Sequence, residues 1–431
     1  MPIGSSHPSP VRSSVESVFR EEHGRLLASL VHRFGDLDLA EEVASEAVEA
    51  ALVHWPAVGV PARPGAWLMT TARRKAIDRL RRDRTYAARL AVLRVEANRA
   101  DPAPPADDDG DGGLPDDRLR MFFTCAHPAL AAEARTALTL RCLAGLTTPE
   151  VARAFLVPTT TMAQRIARAK RKIREARIPF RVPGTDELPE RLPGVLQVIY
   201  SIFTEGYAAS SGARLQRLDL AREAIRLARI LRRLMPAERE VAGLLGLMLL
   251  IHARREARTG PNGELVLLDD QDRARWDHTM IEEGSGLVVS SLTGGPPGPY
   301  GVQAAIAALH DEAADPATTD WPQIAALYDV LLRLVPSPVV ALNRAVAVAM
   351  RDGPRAGLVL LDELADEPSL RRHHPYPAAR ADLLHRLGRL SEAAAAYREA
   401  CDLAGTEPER EHLGRRLDAV LSSGPDDEGG A

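Results

Sequence analysis

Apolar positions recur at the three- and four-residue intervals of a helix face in stretch after stretch of the chain. In TTTMAQRIARAKRKIREAR, Thr159 to Arg177, Met162, Ile166, Ala169 and Ile173 fall on one face, with Thr160, Thr161, Gln164, Arg168, Arg171 and Lys172 opposite. Upstream, TTPEVARAFLV offers Thr147 as a helix cap, with Glu150 three residues on and Pro149 in the first turn. Leu156-Val157-Pro158 should break that helix, and Thr159 or Thr160 is expected to cap the next. A short helix, a tight turn and a longer basic helix make a helix-turn-helix. Its early Thr and Gln side chains can reach base edges, and its later Arg and Lys can meet phosphates. An amphipathic surface helix of a bundle, solubilised by Arg, is the plain alternative.

A second basic helix is predicted over 63–84, RPGAWLMTTARRKAIDRLRRDR, with Leu68, Met69, Ala72, Ala76 and Leu80 on one face and Arg74, Lys75, Arg81 and Arg82 on the other. Before it, DLDLAEEVASEAVEAALVHW over 36–55 carries six acids and no Lys or Arg. Asp38, Glu42, Glu46 and Glu49 line up along one side, where like charges cost a few tenths of a kcal/mol each. Such a stripe reads as a solvated face or as a docking surface for a basic protein.

Charge sharpens the picture. Residues 1–183 hold 28 Lys/Arg against 22 Asp/Glu, and the remainder 27 against 37, so the halves carry +6 and −10. The segment 100–117, ADPAPPADDDGDGGLPDD, with seven Asp, four Pro and three Gly, cannot bury enough apolar surface to order itself and is expected to be a flexible linker. Leaving out 95–117 raises the N-terminal charge to +13, which suggests a nucleic acid touched in two places.

Composition excludes more than it assigns. Aromatics are only 4% of the 431 residues, and the abundant Ala and Arg favour helices over strands. No apolar run is long enough to span a bilayer, and MPIGSSHPSP lacks the parts of a signal peptide, so a cytoplasmic location and no membrane partner are expected. Cys125, Cys142 and Cys401 are too few and scattered for a disulfide framework or a zinc site. Cys125 and Cys142 are expected to be buried as small apolar groups. Asp269, Asp270 and Asp272 with Glu205 fit no metal-loop spacing, and Cys125 with His127 lacks a second pair of ligands. No phosphate loop, nucleophile elbow or paired-carboxylate signature occurs, so neither enzyme chemistry nor a cofactor or metal is expected.

The C-terminal part has a repeat. In 374–405, Gly388, Ala393, Tyr397 and Ala400 have tetratricopeptide spacing, and Gly353 precedes Gly388 by 35 residues with Leu358 in the same offset as Ala393. DWPQIAALYDVLLRLVPSP over 320–338 and LDLAREAIRLARILRRLMP over 218–236 look like helices of earlier units. An α-solenoid of degenerate repeats is therefore expected over 186–425. GPNGELVLLDDQDRARWDHTM over 260–280 breaks the pattern, and GLVVSSLTGGPPGPYG over 286–301 reads as a Gly/Pro loop.

Taken in order, LDLAEEVASEAVEAAL, PGAWLMTTARRKAIDRLRR, an acidic linker and LTTPEVARAFLVPTTTMAQRIARAKRKIR resemble an extracytoplasmic-function (group IV) sigma factor of bacterial RNA polymerase. The resemblance implies an all-α chain with sigma domain 2 over 15–94, a linker over 95–117 and sigma domain 4 over 118–182. It also implies binding to the clamp helices of the largest polymerase subunit through Asp38, Glu41 and Glu42, and contact with the flap region. The −10 surface would comprise Trp67, Arg73, Arg74, Lys75, Arg79, Arg81 and Arg82, with the loop over 55–65. The family usually has Asn where Arg74 stands, so Arg74 is given no base-reading role. The −35 surface would comprise Thr159, Thr160, Thr161, Gln164, Arg165, Arg168, Arg171 and Lys172. The whole chain resembles the subfamily with a tetratricopeptide-like extension, on VIYSIFTEGYAASSG and ELVLLDDQDRARWD. In that subfamily the extension controls or enables the sigma activity, and a small DGPF (YCII-like) protein is a possible partner. The opposite charges of the halves suggest that the solenoid packs against the sigma modules. A regulator of another class, in which a sensing solenoid controls a helix-turn-helix, has no need of the acidic helix.

Overall fold

The computed structural model describes residues 10–93, 117–155, 157–208 and 215–423, so nearly all of the expected linker over 95–117 lies outside the described residues. Among these the chain is all-α, and its single β-bridge joins Thr259 to Leu265. It divides into two compact units, residues 1–198 and 199–431, with the division inside one helix, α8 (Leu188–Tyr207).

The first unit begins with α1 (Pro10–Phe34), α2 (Leu37–Val58) and α3 (Pro64–Leu93), which pack pairwise. Asp36 starts α2 by accepting hydrogen bonds from the amides of Asp38 and Leu39 at 2.8 and 3.1 Å. The small residues Ala40, Ala44, Ala47 and Ala51, with Val43 and Trp55, form its buried face and let α1 and α3 approach closely. Because α2 runs on to Val58 through Pro56, Trp55 is a helix residue and the connection expected over 55–65 shrinks to 59–63. On α3, Leu68, Ala72 and Ala76 are buried as expected, and Met69 and Leu80 are half-buried.

Four shorter helices precede α8 in the unit: α4 (Asp117–Cys125), α5 (Ala132–Cys142), α6 (Thr148–Ala154) and α7 (Thr159–Glu175). Thr147 and Glu150 form the expected capping box at the start of α6. The cap expected at Thr159 or Thr160 is absent: Pro158 holds the cap position without a side-chain bond, and both threonines lie within the first turn of α7. Met162, Ile166 and Ala169 are buried, while Ile173 is half-buried near the end of α7. Cys125 and Cys142 are both buried, and the hydrogen bond between them together with burial holds the Cys125 thiol well above its usual range.

The second unit contains α9 (Leu218–Leu234), α10 (Arg239–Ala253), α11 (His278–Leu292), α12 (Pro299–Glu312), α13 (Trp321–Leu334), α14 (Pro338–Asp352), α15 (Pro354–Asp362), α16 (Pro375–Arg386), α17 (Leu390–Leu403) and α18 (Glu407–Ser422). From α13 onward each helix packs on the next, which is how a solenoid buries faces that no single hairpin could cover. The repeat glycines sit at the sharp turns within helix pairs, Gly353 at φ 96° and Gly388 at φ 74°, a region costly for any residue with a Cβ. Ala393, Tyr397 and Ala400 point into the core with Ala381 and Leu384. The loop expected over 286–301 is mostly helix: 286–292 completes α11, and 299–301 opens α12. Small residues there serve helix packing: a Cβ on Gly301 of α12 would stand 3.0 Å from the Ser291 Oγ of α11.

Candidate nucleic-acid and polymerase-binding surfaces

The acidic stripe on α2 is largely matched by bases from the same unit. Lys75 of α3 donates to Glu46 at 3.1 Å, and Arg79 pairs with Glu42 and, at 3.7 Å, with Glu46. Like charges that repel along α2 are thereby offset across to α3. Each of these pairs is more than a third exposed or close to it, so each contributes about 0–1 kcal/mol. Lys75 and Arg79 thus face α2, whereas Arg74, Arg81 and Arg82 are exposed and Arg73 is half-buried. Trp67 stacks on His54 with ring centres 6.0 Å apart and meets the buried Trp55 edge-on at 5.5 Å. Trp67 and His54, with Glu46, Glu49, Val53, Thr71 and Lys75, line an open groove between α2 and α3.

On α7, Thr159, Thr160, Gln164, Arg168, Arg171 and Lys172 are exposed, while Thr161 and Arg165 are half-buried. One continuous polar face therefore remains open for a ligand. Two basic residues absent from the expected surface point elsewhere. Lys170 pairs with both Asp38 and Glu41 of α2, at 2.9 Å to Asp38, and Arg174 also pairs with Asp38. Arg141 at the end of α5 lies 3.1 Å from Glu41. The side chains of Lys170 and Glu41 are each only 12% exposed, so this pair is partly desolvated, unlike the Arg174–Asp38 pair on the rim.

The charges respond as such a contact requires. Burial alone would raise Asp38, but the hydrogen bond and charge of Lys170, with those of Arg174, hold it below the usual carboxylate range. Burial alone would lower Lys170, but Glu41 and Asp38 together raise it above the usual lysine range. A lowered acid and a raised base keep the contact charged across the neutral range. It weakens only at pH values acid enough to protonate Asp38 or alkaline enough to neutralise Lys170.

The same two groups of helices meet again nearby. The Nε2 atom of the buried His23 lies 3.1 Å from the carbonyl oxygen of Arg141. A Cβ on Gly24 would stand 2.8 Å from the Leu143 carbonyl oxygen, so α1 can approach the end of α5 this closely only with glycine there. Lys170 could have been suspected from sequence: it adjoins the buried Ala169 at the edge of the apolar face, where a free charge is uncommon.

Two of the acids weighed as metal ligands have ordinary partners. Glu205 pairs with Arg217 at 2.7 Å, and Asp272 accepts from the amide of Ala274. Among the described residues no group of three or more His, Cys, Asp or Glu could hold a metal, and no helix is long and apolar enough to cross a membrane.

Comparison with known proteins places three segments in known families. Residues 19–86 match Sigma-70 region 2, residues 123–173 match Sigma-70, region 4, and residues 191–292 match a family of unknown function, DUF6596. An uncharacterized protein of Rhizobium meliloti (strain 1021) is 44% identical over 397 residues, which cover 92% of this chain and 93% of that one. No solved structure matches. With α2 and most of α3 inside the region 2 match and α6 and most of α7 inside the region 4 match, the chain belongs to the extracytoplasmic-function-like sigma factors that carry a C-terminal extension.

Proposed function

We propose that this sigma factor docks core RNA polymerase through Asp38, Glu41 and Glu42 on α2, and that the free protein keeps that surface closed with its own promoter-reading helix. The pairing of Lys170 with Asp38 and Glu41 carries the reading, since it joins the expected polymerase surface to the flank of the −35 helix. Sigma regions 2 and 4 serve transcription initiation and bind polymerase and promoter, so the chain supplies specificity and the polymerase the chemistry. In this reading Gln164, Arg168 and the hydroxyls of Thr159, Thr160 and Thr161 face bases at −35. Arg165, Arg171 and Lys172 then face phosphates. Arg73, Arg74, Arg81 and Arg82 track the −10 backbone beside Trp67. Lys75 and Arg79 hold α2 and become available only if Glu42 and Glu46 turn to polymerase.

The modules over 15–94 and 118–182 act as separate bodies once on polymerase, with the latter also meeting the flap region. The helical extension over 186–425 controls or enables that opening. The −10 charge of residues 184–431 against +13 on residues 1–94 and 118–183 favours direct contact in the free protein, and a small DGPF-type protein is a candidate to relieve it. Transcription in vitro with core polymerase and genomic promoter fragments tests the function. Initiation at a defined promoter that depends on this protein supports it, and binding of promoter DNA without any stimulation of core polymerase contradicts it.

A further inference from the structure

The second unit carries a strongly basic cavity of about 280 Å³ that the sigma function does not use. On α9, Arg222, Arg226, Arg229 and Arg233 recur at helical spacing, opposite the buried Leu220, Ala224, Leu227 and Leu231. Four like charges on one face repel, and neighbouring acids quench only part of this. Glu223 pairs with Arg226, and Glu283 pairs with Arg229, each at 2.6 Å. Arg222 and Arg233 are exposed and have no ion pair or hydrogen bond among the described residues. Arg255 lines the opposite wall, held by Asp277 at 3.2 Å and by the His252 carbonyl oxygen at 3.2 Å. Ile225 and Met280 supply an apolar patch.

The buried His252 also lines this cavity. It is only 1% exposed, and its Nδ1 atom has no hydrogen-bond partner. Burial, then Arg255 and Arg222, push its pKa down to about 4, so the ring is neutral at physiological pH. A buried ring nitrogen without a partner costs free energy unless something supplies one. A neutral imidazole can donate a hydrogen bond to an anion's oxygen without adding another charge to five arginines.

We propose that this cavity binds a small phosphorylated anion, a phosphomonoester or a diphosphate, between the α9 arginines, Arg255 and His252. Guanidinium groups match the oxygens of phosphate in paired hydrogen bonds, and every cation lining the cavity is Arg. The size is at the low end for small-molecule sites, which suits a phosphoryl group on a small body and not a dinucleotide. All the lining residues fall within 191–292, so the proposal gives a ligand class to that family of unknown function. It stands independently of how the sigma modules act.

Calorimetric titration of the full chain with inorganic pyrophosphate, and separately with glycerol phosphate, tests the proposal at fixed moderate salt. The expected result is saturable binding of one molecule per chain for at least one of the two. Binding should weaken at least tenfold in Arg222→Ala/Arg233→Ala and stay unchanged in Arg371→Ala/Arg372→Ala, a pair of exposed arginines elsewhere in the unit. Should the double variant fold poorly, Arg222→Gln alone should show the same direction. Failure of both anions to bind overturns the proposal, as does equal affinity in the Arg222 variants. Equal binding of citrate overturns the phosphate class, and displacement of pyrophosphate from this cavity by duplex DNA would make it a nucleic-acid contact instead.

Discussion

The ammonium of Lys170 on α7 and the carboxylate of Glu41 on α2 meet directly, 129 residues apart in sequence and both nearly shielded from solvent. That contact ties the helix proposed to read −35 to the acids proposed to meet polymerase, so the two surfaces cannot be offered together while it lasts. Deleting Lys170 leaves Glu41 paired with Arg141 and Asp38 with Arg174, so the loss should be about 1–3 kcal/mol, the range of a charge-assisted hydrogen bond. Polymerase can replace Lys170 with cations of its own and leave no acid unpaired.

Gly24→Ala should loosen this closed arrangement without altering a single charge. Alanine suits a helix better than glycine by about 1 kcal/mol, but its Cβ would stand 2.8 Å from the Leu143 carbonyl oxygen. The expected outcome is tighter apparent binding to core polymerase by several-fold, because a larger fraction of the protein is already open. Weaker binding by a well-folded Gly24→Ala protein would show that the arrangement helps docking.

Reversing the acidic face should have the opposite effect. Asp38→Arg with Glu42→Arg removes complementarity and adds repulsion, which should cost several kcal/mol and abolish core binding with the fold intact. Recovery of the folded variant with core polymerase at wild-type yield would refute the assignment of these acids.

On α7 the two kinds of contact separate by salt. Gln164→Ala or Arg168→Ala should cost about 1–3 kcal/mol at a particular base position where the side chain reads a base edge. Arg171→Ala should weaken all sequences alike and flatten the salt dependence by about one. Electrophoretic or anisotropy titrations at several salt concentrations, on promoter and scrambled DNA, check both, and neutrality of all three variants would return α7 to a plain surface helix.

The second unit should lose stability on mild acidification. His252 is held near 4 in the folded state against a reference of 6.5. Between those values the unfolded chain binds the extra proton, so stability falls as pH drops. The loss should be about 2 kcal/mol by pH 5 from this residue alone. Denaturant titrations at pH 7.5 and 5 should show that His252→Phe flattens the trend. An unchanged slope would place the acid sensitivity elsewhere, for instance at His310, also held near 4 by burial.

Local pattern disclosed much of the fold. The capping box at Thr147 and Glu150, the apolar stripe through Met162 and Ile166, and the turn glycines at 353 and 388 are short-range features, and each lies where its spacing put it. Relations between distant segments were harder to read. The stripe Asp38, Glu42 and Glu46 looked unmatched because Lys75, Arg79 and Lys170 come to it from other helices. Helical position marks Lys170, beside the buried Ala169, as more shielded than Lys172 on the open face, but it does not say which acids Lys170 meets. Residues 286–292 looked like loop because glycine and serine are poor helix formers alone, yet Val288 and Ser291 there are buried on α11.

Zero-length carbodiimide coupling tests the central claim most directly, because the chain has only three lysines, Lys75, Lys170 and Lys172. In the free full-length protein, mass spectrometry should find Lys170 joined to Asp38 or Glu41. On assembly with core polymerase that link should disappear, while the one between Lys75 and the α2 acids serves as an internal reference. Undiminished coupling of Lys170 to Asp38 and Glu41 within the assembled polymerase complex would contradict the account, since those acids could not then be the surface that polymerase takes.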